Sequence, residues 1–584
     1  RTAREIISQN KNRFVVKKLF QLFHREFSGL HQAAFLLAGA GLLADILALF
    51  RDRLLASTFG AGRALDIYFV SFRVPDFLYT ATLLIAANTA LIPILLKKFS
   101  EDQKKAQYFM GGIFVIFFLI TAFLVLISFW LMPFLIAAVA PGLEGADKAQ
   151  AILLSRILLL SPVLLGLSNL VSSVIQSFRR FFIYALSPLF YNLGIIAGIL
   201  FFYPFLGLAG LAWGVALGAL LHFLVQIPSL IRLGFWVNFR LVDLTNDLWQ
   251  VIKLSFPRTL GLSLNQLVMI VITAIASTLA AGSISVFNFA GNLQSVPLSL
   301  IGISYSVAAF PTLARFFVKN NKREFFLSFL TAFRHIVFWS VPAAFLFIVL
   351  RAQIVRIILG TGVFGWTDTR LTAAALLLLS LSILSQGLIM LLVRAFYAAD
   401  RTIFPVTVNF ISSALIIGLS FFLVWFLKTS EIFSEFFSVF LRTEGLEGVP
   451  MLALPLAFSL GSLVNVFLLG AGFYKIFGRS IFAEFPDWES MKKRLSKSFL
   501  EIGFAGLVLG MISYFSLRLL DNIFNLETFI GVFSQGVLAG FFGLLAGALT
   551  LWVFDNEEFL IVAGTFHQKF WKASVISQEP EKLP

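Results

Sequence analysis

Residues 56–62 read ASTFGAG, and residues 276–282 read ASTLAAG. Five of the seven letters agree across 220 residues. A chance match would stand alone, but this one does not. Pro93 in ALIPILLKKF and Pro311 in AAFPTLARFF lie 218 apart, as do Gly142 and Gly360, and Phe178 and Phe396, while Pro188 and Pro405 lie 217 apart. An offset held over four further landmarks marks a duplicated unit.

What is duplicated follows from composition. Of 584 residues 59% are hydrophobic and only 13% charged, and the mean hydropathy is +0.92. A soluble chain has too few polar residues at that composition to cover its exterior. Long apolar stretches recur throughout, so the spanning elements are helices and not barrel strands of alternating character. Fourteen spans are expected, at roughly 33–54, 66–96, 107–139, 150–177, 182–204, 207–231, 250–280, 283–314, 325–358, 370–398, 404–428, 449–476, 497–520 and 527–555. The repeat then holds six spans per copy, and the last two spans are an appendage. Six is even, so both copies enter the membrane from the same side and form parallel repeats.

Loop charge sets the sidedness. KKFSEDQKK after the second span, Arg179 and Arg180 after the fourth, RFFVKNNKRE after the eighth and MKKRLSK after the twelfth are basic. The alternate loops are short or acidic, as in PGLEGADK and the stretch with Glu431, Glu435, Glu444 and Glu447. The positive-inside rule places both termini in the cytoplasm. The net charge of +15 is therefore a topology signal, and with no basic soluble domain nucleic acid is not an expected partner. Residues 1–32 read as a basic amphipathic segment on the membrane surface, with Phe20, Phe23 and Phe27 near one face of FVVKKLFQLFHREF. The chain begins at Arg1, which points to a trimmed start, and no signal peptide is expected.

Several classes of chemistry drop out. There is no cysteine, and the five histidines lack ligand spacing. No Walker-type phosphate loop and no nucleophile–base constellation occurs, so no enzyme, metal or cofactor is expected. Two parallel six-helix lobes make a transporter, with a substrate path between lobes that rock. The competing reading is a membrane scaffold with an old duplication, since fold alone does not dictate function.

Charged residues within spans are costly, about 2.5–3.5 kcal/mol at a helix centre, and tend to face a wet cavity or a partner. The first lobe concentrates them: Asp45, Arg51, Asp52 and Arg53 in span one, then Asp66, Arg73 and Asp76 in span two. Asp66 and Arg73, seven apart, share a helix face, and Arg73 and Asp76, three apart, can pair locally. Arg258 follows Pro257 in span seven, near Asn265, Asn292 and Gln294. One reading is a charged cavity for a polar or anionic headgroup. The other is interfacial anchoring with ion pairs between helices.

The stretch FRDRLLASTFGAGRALDIYFVSFRVPDFL (50–78) resembles the signature of the MurJ (MviN) family, the lipid II flippases of the multidrug/oligosaccharidyl-lipid/polysaccharide exporter superfamily. The matching features are Arg51-Asp52, Phe59–Gly62, Asp66, and Arg73 with Pro75. The resemblance continues in APGLEGADKA, IQSFRRFFIYALSPLFYNLGIIAG, FPRTLGLSLNQLVMIVITAIASTLAAGSIS and RAFYAADRTIFPV, and covers most of residues 33–480. It implies an N-lobe at 33–232, a C-lobe at 250–476, two C-terminal helices at 497–555 forming a groove for a polyprenyl tail, and a cytoplasmic tail at 556–584. It also implies a multi-pass protein of the bacterial cytoplasmic membrane, acting as a monomer beside cell-wall synthesis proteins and flipping the lipid-linked peptidoglycan precursor by alternating access.

The expected substrate-binding set is Arg51, Asp52, Asp66, Arg73 and Arg258; of the family's cationic set only Arg51 remains, and Arg63, Arg73 and Arg258 are the candidates for compensating charge. The chain departs from the family at four cavity positions. Asp45, Tyr79 and the pair Gly291-Asn292 stand where the family carries arginine, arginine and Asp-Arg. Those arginines are the ones to which the resemblance assigns the diphosphate. The departures keep open export of another lipid-linked glycan or an amphipathic cation, and a non-transporting partner in envelope assembly. For coupling, Asp52 and Asp66 are the expected protonation or charge-compensation sites.

Overall fold

The helices come in an order that repeats. The computed structural model describes residues 30–571 apart from 87, 179, 234–244 and 479–487. It describes side chains from 39 to 564, apart from those at 87–90, 179, 181, 234–246, 254, 257–258 and 479–488. Every regular element among the described residues is helical. In a bilayer this follows from the need of each peptide group to find its hydrogen bond within the segment. The spans are α1 (Leu30–Phe59), α2 (Arg63–Glu101), α3 (Gln103–Val139), α4 (Gly145–Ser177), α5 (Phe182–Leu206) and α6 (Leu208–Arg232). Then follow α7 (Thr245–Ser277), α8 (Ser283–Val318), α9 (Lys322–Val349), α10 (Trp366–Ser380 and Ile383–Ala398, bent by 44°), α11 (Ile403–Thr429) and α12 (Val449–Gly478). The appendage is α13 (Trp488–Leu520) and α14 (Phe529–Val553), followed by α15 (Glu557–Trp571).

Twelve of these are long and apolar enough to cross a membrane, and the bent pair of α10 makes thirteen. Side chains at the start of α1 lie outside the described residues, and α1 is not in that count. The first residues of α2 and α8, α3 and α9, α4 and α10, and α5 and α11 differ by 220, 219, 221 and 221. Duplication in sequence is thus duplication of helix boundaries. The register is lost before α12, where the second copy inserts the helix Glu431–Leu441. The N-terminal segment 1–29 and the tail beyond 571 lie outside the described residues.

The surface pattern is that of a chain solvated by hydrocarbon. On α3 Phe118, Phe123, Leu126, Trp130 and Phe134 are exposed, while Phe109, Met110, Ile113 and Phe117 are buried. Such outward aromatic and aliphatic side chains fit lipid tails and would be aggregation sites in water.

By contacts the chain forms two compact units. One comprises the chain up to Val296 with Ile358–Leu379 and Asp400–Asn465. Its main core packs Leu95, Phe109, Ile113, Phe117, Val174 and Val251. Within it α5 and α6 meet through glycine: a Cβ on Gly198 would lie 2.5 Å from Cα of Gly214, and one on Gly194 2.2 Å from Cα of Gly218. Only glycine permits this backbone approach, as at close helix crossings in membranes generally. The other unit comprises Pro297–Ile357, Ser380–Ala399 and the chain from Val466. There α13 packs along α14, and Leu350, Leu517 and Ala539 form a small core. Arg334 of α9 reaches Glu557 at 2.7 Å and Glu558 at 2.5 Å, tying down the start of α15.

Candidate functional site

The charged residues that the sequence marks in spans one and two all lie in the first unit, and their partners divide them into two groups. Arg51 and Asp52 are neighbours on α1. The Nε and Nη2 groups of Arg51 both donate to Asp52 Oδ1, at 2.9 and 2.7 Å. Arg51 Nη1 donates to Asn192 Oδ1 of α5 at 3.1 Å. Asn292 of α8 donates its Nδ2–H to Asp52 Oδ2 at 2.8 Å. The result is a chain Asn192–Arg51–Asp52–Asn292 that crosses three helices. Asp52 is 2% exposed and Arg51 19%, so Arg51 is the member that ligand can reach. The ion pair carries no net charge, which is how a buried pair offsets part of its desolvation cost.

Arg73 is bound differently. It is buried, yet its guanidinium meets neutral oxygens: Nε donates to Thr273 Oγ1 of α7 at 2.7 Å, and Nη2 to Asn288 Oδ1 of α8 at 3.0 Å. The local pairing with Asp76 that the three-residue spacing allows is not made; among the described residues Asp76 forms no ion pair. Asp66 and Arg73 do share a face, the one toward α8: Asp66 meets Ser285, and Arg73 meets Asn288 one turn further along α8. The α2 helix passes from Arg63–Ser71 to Arg73–Ala86 through Phe72, which keeps right-handed helical dihedrals.

Asp66 is a clasp. Its Oδ2 accepts the Gly282 N–H at 2.6 Å, and its Oδ1 accepts the Ser285 N–H at 2.8 Å and the Ser285 hydroxyl at 2.7 Å. Those amides are orphan donors at the N-terminus of α8, where the helix dipole also favours a carboxylate. Gly282 has φ +90°, and a Cβ there would lie 1.9 Å from the carbonyl oxygen of Ala61. Around this point four connections are laced together. Arg63 donates to Asp147 at 2.8 Å and to the Gly142 carbonyl at 3.0 Å. The Gly142 N–H donates to Ser277 Oγ at 3.1 Å, and the Val363 N–H donates to the Ser57 carbonyl at 2.9 Å. The twin phrases ASTFGAG and ASTLAAG are two corners of this seal. They recur because each repeat turns the same corner and presents main chain to the other.

The remaining marked positions are placed as follows. Tyr79 accepts a hydrogen bond from Asn169 at 2.7 Å. Asp45 is half-buried on α1. Space is open beside Gly291, and Asn292 serves Asp52 as described. The side chain of Arg258 lies outside the described residues. Sequence reasoning missed Asn192, Thr273 and Asn288. Asn192 and Asn288 carry a signal in hindsight, each being an amide in an otherwise apolar run (FYNLG, VFNFA). Among the described residues no three His, Asp or Glu side chains are placed to hold a metal ion.

Comparisons with known proteins bear on what this arrangement serves. A profile of the family described as lipid II flippase MurJ matches residues 55–527. The chain is 27% identical over 518 residues to a probable lipid II flippase MurJ of Buchnera aphidicola subsp. Acyrthosiphon pisum, covering 87% of this chain and 93% of the relative. It is 26% identical over 388 residues to the lipid II flippase MurJ of Burkholderia cenocepacia, covering 65% and 75%. Among solved structures, a lipid II flippase MurJ in an inward closed conformation superposes with a TM-score of 0.68 at 23% identity, over 92% of this chain and 99% of that one.

Proposed function

The chain belongs to the lipid II flippase MurJ family, and from that premise we propose that it moves lipid II from the inner to the outer leaflet of the bacterial cytoplasmic membrane by alternating access. No covalent chemistry is involved. The protein supplies a polar path for the headgroup and a sequence of openings on the two sides, while the polyprenyl chain stays in lipid.

The observation that carries the reading is the clasp at Asp66. A carboxylate of α2 holds the first amides of α8, and four connections are sealed around it. The basic loops KKFSEDQKK and RFFVKNNKRE lie at the opposite ends of α2 and α8, so the positive-inside rule puts the sealed end outside. The described state is then closed to the periplasm. Below the seal, Arg51 and Arg73 are the cations on offer to a diphosphate. Arg51 is paired with Asp52, so phosphate oxygens take over donors now held by Asp52 and Asn192. Arg73 is held only by neutral oxygens, which a phosphate displaces readily because charge-assisted hydrogen bonds are the stronger ones.

The absence of native cysteine allows a direct test. In Ser57→Cys/Val363→Cys, at the pair whose main chains are hydrogen-bonded at 2.9 Å, an oxidised cross-link locks the seal. Lipid II flipping in proteoliposomes should stop on oxidation and return on reduction. Flipping that continues with the cross-link formed would sink alternating access at this end.

A further inference from the structure

Asp76 stands apart from the other acids of this region. Asp52 accepts hydrogen bonds from Arg51 and Asn292, and Asp66 accepts three. Among the described residues the Asp76 carboxylate accepts no hydrogen bond and makes no ion pair, although Arg73 is one turn away. It is partly exposed.

The groups next to it are Tyr68, Arg73 and Tyr79 on α2 and Tyr191 on α5; Arg51 and Asp52 on α1 lie one step further, sharing Tyr68 with Asp76 as a neighbour. Among the described residues, α4, α7 and α8 supply neutral partners to these groups: Asn169 to Tyr79, Thr273 and Asn288 to Arg73, and Asn292 to Asp52; the side chain of Arg258 on α7 lies outside the described residues. With both aspartates ionised the cluster of Arg51, Asp52, Arg73 and Asp76 has no net charge. A lipid diphosphate brings negative charge, and a neutral cluster containing a bare carboxylate opposes its entry.

We infer that Asp76 takes up one proton when an anionic lipid headgroup enters, so that headgroup binding and proton uptake are linked at this residue. The protonated acid removes the repulsion and leaves the cluster at +1, with Arg51 and Arg73 directed to the phosphates. The new O–H is also a donor for a phosphate oxygen. No bond other than O–H is made or broken; the proton comes from water in the cavity and returns there on release. The inference rests on the lipid II reading above and adds its coupling.

The test uses the full chain in nanodiscs and lipid II as the probe, with calorimetric titration from pH 5.5 to 8.5 in buffers of different ionisation enthalpy. The natural chain should take up about one proton per lipid bound, and its Kd should rise by up to about tenfold per pH unit where Asp76 is ionised. Asp76→Asn should bind at pH 8.5 as the natural chain does at low pH, with the uptake gone. Asp76→Glu should keep the uptake, which shows that the site tolerates substitution. Binding by the natural chain without proton uptake, or uptake that persists in Asp76→Asn, overturns the inference while leaving the flippase reading intact. No lipid II binding by the natural chain at any pH overturns the flippase reading, and the inference with it.

Discussion

Replacing Asp66 by asparagine exchanges one oxygen for an amide and keeps the side-chain shape. The carboxylate now accepts three hydrogen bonds at 2.6–2.8 Å from Gly282 and Ser285, and it is 2% exposed. Asparagine can present its oxygen to one side only; its NH2 then faces an N–H that needs an acceptor. At least one charge-assisted bond is lost and one buried donor is left unmet, together roughly 2–4 kcal/mol. If the clasp exists only in the state closed at this end, that cost falls on the closed state alone and shifts the equilibrium toward opening by roughly 30- to 1,000-fold. The assay is maleimide labelling of Ala61→Cys, a buried position of the seal in a chain with no other cysteine. The labelling rate tracks the open population, so it should rise steeply when Asp66→Asn is added. An unchanged rate in a protein that melts normally would refute the argument that Asp66 holds the seal.

Other expectations follow from neighbouring contacts. Arg51→Ala leaves Asp52 buried with Asn292 alone, which should cost about 3–5 kcal/mol of stability; adding Asp52→Asn should recover the melting temperature but not lipid II flipping. Gly214→Val places side-chain carbon where Cα of Gly198 lies 2.4 Å from the Cβ position, and melting should report a loss of at least about 1–3 kcal/mol from overpacking. Gly418→Val, where nothing lies within 4 Å, should be near neutral. Burial pushes the Glu558 carboxyl up, but hydrogen bonds from Ser498 and Arg334 outweigh it and hold the group below its ordinary 4.5. Its folded value is below its unfolded one, so its stabilisation is complete above about pH 4.5 and is lost as pH falls through the folded value. Melting of Glu558→Gln should lack that part of the acid-side slope.

Most of the fold was legible in the residues because a bilayer restricts the options. Apolar run length and loop charge located the spans, and the 217–220 offset anticipated helix starts that repeat at 219–221. The site was legible only in part. Arg51, Asp52, Asp66 and Arg73 stood out as charges in apolar runs, but their roles depend on partners far away in sequence: Asn192 at 141 residues, Thr273 at 200 and Ser285 at 219. Helical periodicity put Asp66 and Arg73 on one face, and both reach α8, but periodicity could not say which helix that face meets. The loss of the family's Asp-Arg pair at 291–292 looked like loss of a ligand. In the structure Asn292 still reaches Asp52, which short-range pattern could not reveal.

The seal around Asp66 also has a thermal consequence. Its hydrogen bonds and close backbone approaches join peptide groups, hydroxyls and a carboxylate: Gly282 against the Ala61 carbonyl, Gly142 against Ser277, Val363 against Ser57. Beside them Phe289 packs edge-on against Phe69 and Phe364. Exposing hydrocarbon to water raises heat capacity, whereas exposing polar groups lowers it. Opening this corner wets both kinds of surface, and their contributions oppose one another, so its heat-capacity change should be small for the area exposed. A plot of the logarithm of the opening constant against reciprocal temperature should then run nearly straight. An opening driven apart at a hydrocarbon interface would curve, and this one should keep a constant enthalpy of opening across the growth range of a cell.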